Sequence, residues 1–426
     1  MTSRIVLLVA AALAALQADA ALNNDRFKEV LGWKVLDYQY PTPEAKAAAI
    51  KSGEFVAENS NPLGLEVWKD KVFVTVPRWK SGVPSTLNYV KYSEGDKSPV
   101  LMPYPSLEAN TLIKDSEKKA LKEGELPHKI VSVFRVRVDA CDRLWVMDSG
   151  ISDLKGDTQV LGPAKLLVYD LKTDKLLRQY AFKPEDLKED SFFANVVVDT
   201  TAQTCDDAYA YVPDLGGYGL VVYSWKDNSS WRIKHNFFYF DPLSGNYNVD
   251  GINFQWTDGV FALALSPVQK EDGYRTVYFH PLSSTHEFKV SSRVLQNKTI
   301  AELPETYYAF KDLGTRGPNT QSSASYLDES TGVLFYTQVN RNGLGCWNTK
   351  AQEYNPDNNA LVAADNVTMI FPNDLKIDPQ GNLWMLSNRM PRFHYKHLDY
   401  TDVNFRIFKA PAKDLIKGTV CETVKA

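Results

Sequence analysis

The sequence predicts an all-β fold, a six-bladed β-propeller with few short helices, from three observations. The chain has 426 residues, of which 44% are apolar and 23% charged, as is typical of globular proteins. It contains 22 tyrosines, 20 phenylalanines and 9 tryptophans, and aromatic residues are enriched in strands. A phrase of two short strands joined by a polar turn recurs six times. Repeated β units of this kind bury both faces when they are arranged radially around an axis.

The six copies follow one another at intervals of about 50 to 70 residues and define the predicted blades. Their paired strands are 64–68 with 72–76, 134–138 with 144–148, 195–199 with 209–214, 251–255 with 260–265, 323–327 with 333–337, and 373–377 with 383–387. The segments 165–170, 219–225 and 275–280 are predicted to be outer strands. A pair of β-sandwiches is the alternative, but sandwich strands recur roughly every 8–12 residues without a longer period.

Ring closure and helices complete the predicted fold. The segments 33–38 and 404–408 lie near opposite chain ends, and we expect them to share one blade and close the ring. Two inserts are helix-prone, Glu44 to Lys51 and Ser116 to Glu123. The second insert is strongly charged, which predicts a solvated face.

The first twenty residues are typical of a secretory signal. Arg4 precedes an apolar run from Ile5 to Leu16, and Ala18-Asp19-Ala20 provides the small-x-small pattern of a cleavage site. The run is too short for a membrane anchor, which needs roughly 20 residues; a buried N-terminal helix is the other alternative. We expect cleavage after Ala20 and release of residues 21–426 as a single extracellular domain with no membrane attachment. Three acceptor sequons agree with secretion and predict glycosylation at Asn228, Asn297 and Asn366.

The charge balance argues against nucleic acid as a partner. The chain carries 48 Lys and Arg against 52 Asp and Glu, a net charge of −4. Binding to nucleic acid depends on cations that release counterions from phosphates. No such excess of cations is present in this composition.

Four cysteines predict two disulfides in an oxidising compartment. Three pairings of Cys141, Cys205, Cys346 and Cys421 are possible, and their spacing lacks the C-x₂₋₄-C pairs of a zinc site, so no metal is expected. Cys141 and Cys205 occupy the same turn of successive repeats. They would face each other across adjacent blades, which predicts the pairs Cys141–Cys205 and Cys346–Cys421.

Familiar catalytic signatures are missing from the sequence. There is no H-E-x-x-H, G-x-S-x-G, P-loop or dinucleotide fingerprint, and no cofactor is expected. His394 and His397 could chelate a metal if they lay on a helix, but this spacing specifies a ligand set weakly. A surface or loop-packing role is favoured for them.

Polar residues recur where the inner strands begin and end, at the predicted mouth of the central channel. They are Asn195, Asn253, Asn319, Gln321, Asn373, Asp374 and Asn388, with Asp148 and Arg389. Converging amides and carboxylates could hold a polar small molecule or a cation such as calcium; alternatively they cap strand ends and bind water. Phe254, Phe371, Phe393 and Tyr395 flank these positions, which suits an aromatic ligand whose amine is held by Asp374, although core packing is the other use of each ring.

Several longer motifs resemble the insect Yellow / major royal jelly protein family, and the Yellow branch most closely. They are LGLEVW (63–68), RLWVMDSG (143–150), YNVDGINFQW (247–256), RGPNTQSSA (316–324) and FPNDLK (371–376). The resemblance runs from about Trp33 to Phe408 and implies a secreted six-bladed propeller. Relatives act in cuticle pigmentation within the melanin pathway, some are credited with dopachrome conversion, and salivary relatives bind biogenic amines near the channel mouth.

Three functional hypotheses follow, and fold analogy does not choose among them. The first is an enzyme that tautomerises dopachrome, with Asp374 as base and Arg389 stabilising the developing charge. The second is a non-catalytic binder of dopamine or serotonin, for which the resemblance points to Asn373, Asp374, Asn388 and Phe393. The third is a structural or signalling factor in cuticle with extracellular protein partners. We favour a secreted protein of insect melanin biosynthesis and cuticle pigmentation, with catalysis left open.

Overall fold

Six antiparallel sheets of four strands each surround a common axis in the computed structural model, which describes residues 23–93, 95–113, 117, 119 and 126–423. The innermost strands of neighbouring sheets contact one another all the way around. The sheets are therefore the blades of a closed six-bladed β-propeller, and the predicted fold class is confirmed. No helix in the described ranges has the length and apolar character needed to cross a membrane.

The strands follow in chain order, and each blade is built from its inner to its outer strand. They are β1 Lys28–Trp33; β2 Leu65–Trp68, β3 Lys71–Thr75, β4 Leu87–Lys91, β5 Met102–Pro103 (blade 1); β6 Val133–Val138, β7 Arg143–Asp148, β8 Ile151–Ser152, β9 Gln159–Val160, β10 Lys165–Asp170, β11 Lys175–Ala181 (blade 2, with β8–β9 a separate hairpin); β12 Val197–Asp199, β13 Tyr209–Asp214, β14 Gly219–Ser224, β15 Ser229–Ile233 (blade 3); the hairpin β16 Asn246–Val249 and β17 Ile252–Gln255; β18 Val260–Leu265, β19 Thr276–Pro281, β20 His286–Ser291, β21 Lys311–Thr315 (blade 4); β22 Ser325–Asp328, β23 Val333–Gln338, β24 Gly343–Asn348, β25 Asn359–Ala364 (blade 5); and β26 Pro372–Ile377, β27 Asn382–Ser387, β28 Phe405–Pro411 (blade 6).

Short helices lie in the segments that connect the strands of the described residues. They are α1 Pro43–Ser52, α2 Leu107–Asn110, α3 Ser292–Leu295, α4 Lys298–Ala301, α5 Met390–Tyr395 and α6 Ala412–Leu415. The helix predicted over Glu44 to Lys51 is confirmed as α1. Thr42 caps it by accepting from the Ala45 amide at 3.2 Å, and Gly53 ends it at a φ of 79°. The signal over residues 1–20 lies outside the described residues, and so does the insert Ser116 to Glu123 except for residues 117 and 119.

Blade 6 is closed by a strand from the other end of the chain. β1 pairs with β28, so that Lys28 lies opposite Lys409 and Trp33 opposite Phe405. The prediction that both chain ends share the closing blade is confirmed, but the predicted N-terminal strand 33–38 is wrong, because the strand is Lys28–Trp33. Beyond Trp33 the chain leaves the sheet, and Leu36 and Tyr38 pack into the core cluster beside blade 1.

One predicted strand pair is wrong. β17 does not pair with β18; it pairs with β16 across a turn at Asp250 and Gly251, which have φ of 54° and 70°. Positive φ at both central residues is the geometry of the tightest hairpin turn, and Asp-Gly favours it. β18 pairs instead with β19, which makes residues 276–281 the second strand of blade 4. The other five pairs are observed, while residues 165–170 and 219–224 are third strands covered by β11 and β15.

The apolar cores lie between adjacent blades. Trp145 and Val168 of blade 2 pack in one cluster with Val221 and Tyr223 of blade 3, and all four are buried. Burial of one such side chain contributes about 1.5–3 kcal/mol, and these contacts recur around the ring. Strands buried on both faces read as continuous apolar runs, which explains the phrase that repeats in the sequence.

Both predicted disulfides are present. Cys141–Cys205 joins the β6–β7 turn of blade 2 to the segment before β13 in blade 3. Cys346–Cys421 joins β24 to the C-terminal tail. The first disulfide therefore links adjacent blades, and the second ties the tail to blade 5.

Candidate functional site

The two ends of the propeller axis carry different chemistry. The six innermost strands run in the same direction, so their first residues meet at one end and their last residues at the other. We call the first the aromatic end, formed by Trp79, Phe254, Trp256, Phe371, His394 and Tyr395. Toward the second lies the charged channel, lined by Glu66, Arg135, Arg137, Tyr326, Asp374 and Lys376.

Aromatic rings converge at the aromatic end from distant parts of the chain. Trp79, in the loop after β3, meets His394 of α5 edge-on with ring centroids 4.7 Å apart. Phe254 of β17 lies 4.7 Å from Trp256 and stacks at 5.3 Å on Tyr395. The Trp256 indole nitrogen donates to the Tyr395 hydroxyl at 2.7 Å. Hairpin β16–β17 and helix α5 thus bring together the rings that could hold a planar aromatic ligand.

Two buried polar atoms at this end have no hydrogen-bond partner among the described residues. They are the Trp79 indole nitrogen, a donor, and Nδ1 of His394. Burial, together with the nearby Lys155 and Lys80, lowers the pKa of His394 to about 3, so the imidazole is neutral. Buried polar groups normally find a partner. A ligand that offers an acceptor to Trp79 and a complementary group to His394 would satisfy both.

Asp258 supplies a titratable carboxyl near these rings. Burial raises its pKa from 3.8 to about 6, and only Lys155 acts in the opposite direction. Lys155 donates its backbone amide to the Trp79 carbonyl at 2.7 Å, and its ammonium lies 5.5 Å from the Tyr395 ring. A carboxyl with this pKa can exchange a proton near neutral pH, which suits acid–base chemistry.

Backbone strain also flanks the aromatic end. Phe371 and Arg389 have φ of 54° and 47°, in the left-handed region that bulky residues rarely occupy. Phe371 is held by its amide, which donates to Asn342 Oδ1 at 3.2 Å. Such conformations cost about 1–3 kcal/mol each and cluster at ligand sites.

Several predicted ligand residues lie at this end but are bound to the protein itself. Gln321 donates to the Ser244 carbonyl at 2.9 Å, and Asn388 donates to the Pro62 carbonyl at 2.8 Å. Phe393 is buried in the core cluster beside blade 1, with the Lys80 ammonium 4.4 Å from its ring.

Two further predicted ligand residues are exposed. Asn253 lies on β17 and accepts from Asn248 at 2.6 Å. Asn319 occupies a left-handed turn before Gln321. Neither residue belongs to the aromatic cluster or to the charged channel.

Asp374 lies in the middle of the axis as part of the charged channel. Its carboxylate accepts two bonds from the Lys376 ammonium, at 2.7 and 2.8 Å, and one from the Leu65 amide at 3.0 Å. Arg135 Nε is 3.6 Å from the same carboxylate. Burial lowers the pKa of Lys376, and Asp374 opposes that shift. The predicted base is therefore an ion-paired group in this structure.

Arg135 connects four blades across the axis. Its guanidinium, 1% exposed, donates to the carbonyls of Ser323 and Asn373 and lies 4.1 Å from the Phe261 ring. Asn373 also accepts through its side chain, at 3.3 Å. Arg135 thus forms a layer between the aromatic end and the rest of the charged channel.

A cavity of about 900 Å³ continues from this layer to the second end of the axis. Of the predicted site residues, Asn195 and Asp374 line it. Asn195 donates to the Phe261 carbonyl at 2.8 Å and accepts from the Val196 amide at 2.8 Å. Two of the predicted site residues therefore line the cavity, and the others lie outside it.

Arg389 has a different environment from Asp374. Its guanidinium donates to Asp402 at 2.9 Å, to Asn404 Oδ1 at 3.3 Å and to the Val367 carbonyl at 3.2 Å. Within the described part of the chain, no hydrogen bond or ion pair joins Arg389 to Asp374. These contacts hold the loop that leads into β28.

Three residues of this site were not predicted from the sequence. Trp79 and Lys155 lie in loops outside the repeated phrase, and Asp258 lies between the two predicted strands of its fourth copy. For His394 the sequence favoured a surface or loop-packing role over metal binding. The available signal was the aromatic density of residues 254–256 and 393–395, which meet only when the ring closes.

Comparisons with known proteins agree on one family. The family model for major royal jelly proteins matches residues 131–421. Protein yellow of Drosophila erecta and of Drosophila melanogaster are each 40% identical to this chain over 400 residues, which cover 93% of this chain and 71% of theirs. A catalytically inactive virginiamycin B lyase from Staphylococcus aureus, solved with quinupristin, is 11% identical over 83% of this chain and 96% of its own, with a TM-score of 0.40. That overlap is too loose to inform fold or function.

Proposed function

The chain belongs to the Yellow / major royal jelly protein family, and on that premise we propose that it is a secreted protein of insect melanin biosynthesis and cuticle pigmentation that converts dopachrome. The observation that carries the proposal is the aromatic end, where rings converge on a neutral histidine, and Lys155 acts on both that histidine and the Asp258 carboxyl, whose pKa is about 6. Planar bicyclic molecules such as dopachrome stack on such rings.

Dopachrome conversion is a proton transfer within one molecule. Two C–H bonds break, one at the ring carbon that carries the carboxylate and one at the adjacent methylene carbon. Both electron pairs flow through the ring to the quinone oxygens, and each oxygen takes up one of the two protons. In the proposal Asp258 is the base, because its pKa allows it to release the proton again near neutral pH. Lys155 and Lys80, which lie beside His394, stabilise the negative charge that develops on the oxygens.

Asp374 remains the alternative base. It shares its carboxylate with Lys376 and lies near Arg135, so an anionic substrate would meet two cations there. In that version Lys376 takes the charge-stabilising role that the sequence suggested for Arg389, because Lys376 lines the cavity.

The test follows the loss of dopachrome absorbance with purified protein. We expect Asp258→Asn to lower the rate about 100-fold, as loss of a general base does. Asp357→Asn, an exposed aspartate on blade 5, is the matched control and should retain the wild-type rate. A loss in Asp374→Asn with full activity in Asp258→Asn would move the chemistry to the charged channel. A wild-type rate equal to the buffer blank would remove the enzymatic proposal.

A second candidate, a non-catalytic binder of dopamine or serotonin, is favoured by one specific feature. Asp258 places a carboxylate close enough to Tyr247 to act on that phenol, and Tyr247 stacks on Phe254, so a carboxylate and aromatic rings are available to a protonated aromatic amine. Calorimetry should then show saturable heat with either amine, and Asp258→Asn should weaken binding about 10-fold. The absence of heat at millimolar ligand would exclude this candidate.

Secretion and glycosylation belong to the same proposal. Two disulfides support an oxidising compartment, and Asn228, Asn297 and Asn366 are all exposed. Expression in insect cells should yield a secreted chain that begins at Ala21. Its mass should fall on treatment with an N-glycosidase, and an intact N-terminus in the secreted protein would contradict cleavage after Ala20.

A further inference from the structure

We propose that the charged channel is a second binding site, separate from the aromatic end, and that it takes a small organic carboxylate with an apolar body. The inference does not depend on the proposed function. It rests on unpartnered polar atoms, on the charges of the innermost layer and on an apolar patch of the cavity wall.

Two buried polar groups on the cavity wall have no hydrogen-bond partner among the described residues. They are Arg135 Nε, on a side chain that is 1% exposed, and the hydroxyl of Ser325, a residue that is 8% exposed. Both residues line the cavity of about 900 Å³. Two unsatisfied donors in one cavity favour an acceptor such as a carboxylate.

The innermost layer of the cavity carries three cationic side chains and two carboxylates. Its cations are Arg135, Arg137 and Lys376, and its carboxylates are Glu66 and Asp374. The Asp374 carboxylate is paired with the Lys376 ammonium. The Glu66 carboxylate accepts from the Val67 and Val138 amides and lies 3.8 Å from the Arg137 guanidinium. A positive charge held away from water is stabilised by an anion.

The outer rim of the cavity carries four carboxylates, two paired with cations and two bound by neutral donors, so the excess of positive charge is confined to the innermost layer. Asp139 is paired with Arg143, Glu329 with Arg275, Asp378 accepts from Trp384 and Asn382, and Asp328 accepts from Ser330 and Thr331. Lys413 adds a cation at the rim.

Blades 3 and 4 contribute an apolar patch to the cavity wall. Val197 of β12 and Leu263 and Leu265 of β18 line the cavity on that side. Arg137 and Tyr326, joined by a 2.6 Å hydrogen bond, mark the polar side. A ligand with a carboxylate at one end and an aliphatic body at the other matches both sides.

The test uses hexanoate, with hexanamide as its neutral counterpart, in calorimetry on the full-length secreted protein. Neither probe has an aromatic ring to bind the aromatic end. We expect hexanoate to bind at least about 10-fold more tightly than hexanamide. Equal affinities, or tighter binding of hexylamine, would overturn the proposal.

Two substitutions locate the site by changing affinity in opposite directions. Arg137→Gln should weaken hexanoate binding about 10-fold, and Glu66→Gln should strengthen it about 5-fold, because it removes a competing negative charge. A folding defect cannot produce the gain. Arg293→Gln and Glu271→Gln, both exposed, are the matched controls and should leave affinity unchanged. Weaker binding in Glu66→Gln would contradict the site even if Arg137→Gln failed to fold.

Discussion

At the scale of single residues, burial at the aromatic end drives two titratable groups toward their neutral forms. It raises the pKa of Asp258 to about 6 and lowers that of His394 to about 3. Desolvation disfavours the charged form of each group, so the shifts have opposite signs. As pH rises from 4 to 6, Asp258 therefore lowers the free energy of unfolding and His394 raises it. A substitution at one of the two residues separates its effect from that of the other.

Asp258 should make the protein less stable as pH rises. Its carboxyl binds a proton more tightly in the folded state, so the free energy of unfolding falls between about pH 4 and pH 6. Asp258→Asn removes this cost and should raise the free energy of unfolding by about 1–2 kcal/mol at pH 7.5, with no gain at pH 4. Urea denaturation at the two pH values measures the difference. A gain of the same size at both pH values would contradict the assignment.

Arg135 should be the most sensitive polar residue of the axis. It contacts Ser323, Asn373, Asp374 and Phe261, so its loss would remove the guanidinium that donates to two buried carbonyls and lies 3.6 Å from the Asp374 carboxylate. Arg135→Met is expected to lower the free energy of unfolding by about 3–5 kcal/mol. Chemical denaturation checks this, with Arg293→Met as the exposed control. A change below about 1 kcal/mol would show that the axis does not depend on this layer.

The sequence could identify polar residues near strand ends but not their partners. Asn195 and Asp374 were expected at the axis and line its cavity. Arg389 was grouped with them because it follows an inner blade strand pair, yet its side chain bonds to Asp402 and Asn404. The direction in which a loop side chain points depends on backbone angles, such as the φ of 47° at Arg389. The periodicity of a sequence does not predict these angles.

At the scale of elements, the hairpin β16–β17 is the cover of the aromatic end. Asp250, at its turn, is bound by the Arg392 guanidinium of α5, with one contact at 3.0 Å. Strands β16 and β17 form a two-stranded sheet of their own, and among the described residues no other strand pairs with them. Isolated hairpins are marginally stable, so this ion pair and the aromatic contacts hold the cover in place.

Asp250→Ala should loosen that cover without unfolding the ring. We expect amide hydrogen exchange over residues 246–255 to become about 10-fold faster, while exchange in β26–β28 stays unchanged. Mass spectrometry of peptic peptides resolves the two regions. Asp272→Ala, in an exposed turn of blade 4, is the control. Uniform acceleration across the ring would indicate global destabilisation instead.

The hairpin β16–β17 shows why the periodicity of the sequence predicted one strand pair wrongly. Residues 251–255 alternate like an inner strand and precede β18 at the spacing of the repeat, so the sequence predicted one blade hairpin. The Asp250–Gly251 turn was the stronger local signal, because a two-residue turn fixes the pairing and register of its flanking strands. Blade 4 therefore contains an insertion of one hairpin ahead of its first strand.

The tail disulfide should stabilise blade 5. Cys346–Cys421 closes a loop with a sequence separation of 75 residues. Replacing both cysteines by serine is expected to cost about 2–5 kcal/mol and to expose the tail to proteolysis. Limited trypsin digestion compares this variant with the wild type. An unchanged cleavage rate after Lys417 would show that packing of Leu415 and Ile416 holds the tail by itself.

At the scale of the whole molecule, the ring was predictable because every blade obeys the same physical constraint. One four-stranded sheet cannot bury both faces alone, and six copies of the repeated phrase provide neighbours for each face. The residues that form the aromatic end were not predictable, because they come from the loop after β3, the hairpin β16–β17 and helix α5. Their proximity is a consequence of closure and has no counterpart in sequence spacing.

Closure by β1 should therefore determine the stability of the whole ring. Leu31 is fully buried opposite Ile407, and Glu29 of the same strand is bound by Arg406 at 3.0 Å. Leu31→Asp places an unpaired charge in that core and should cost at least about 3 kcal/mol. Because blade 6 contacts blades 1 and 5, hydrogen exchange should accelerate in all three blades. Val268→Asp, 39% exposed, should change stability by less than about 0.5 kcal/mol. Acceleration confined to β1 and β28 would mean that the ring persists without its closing strand.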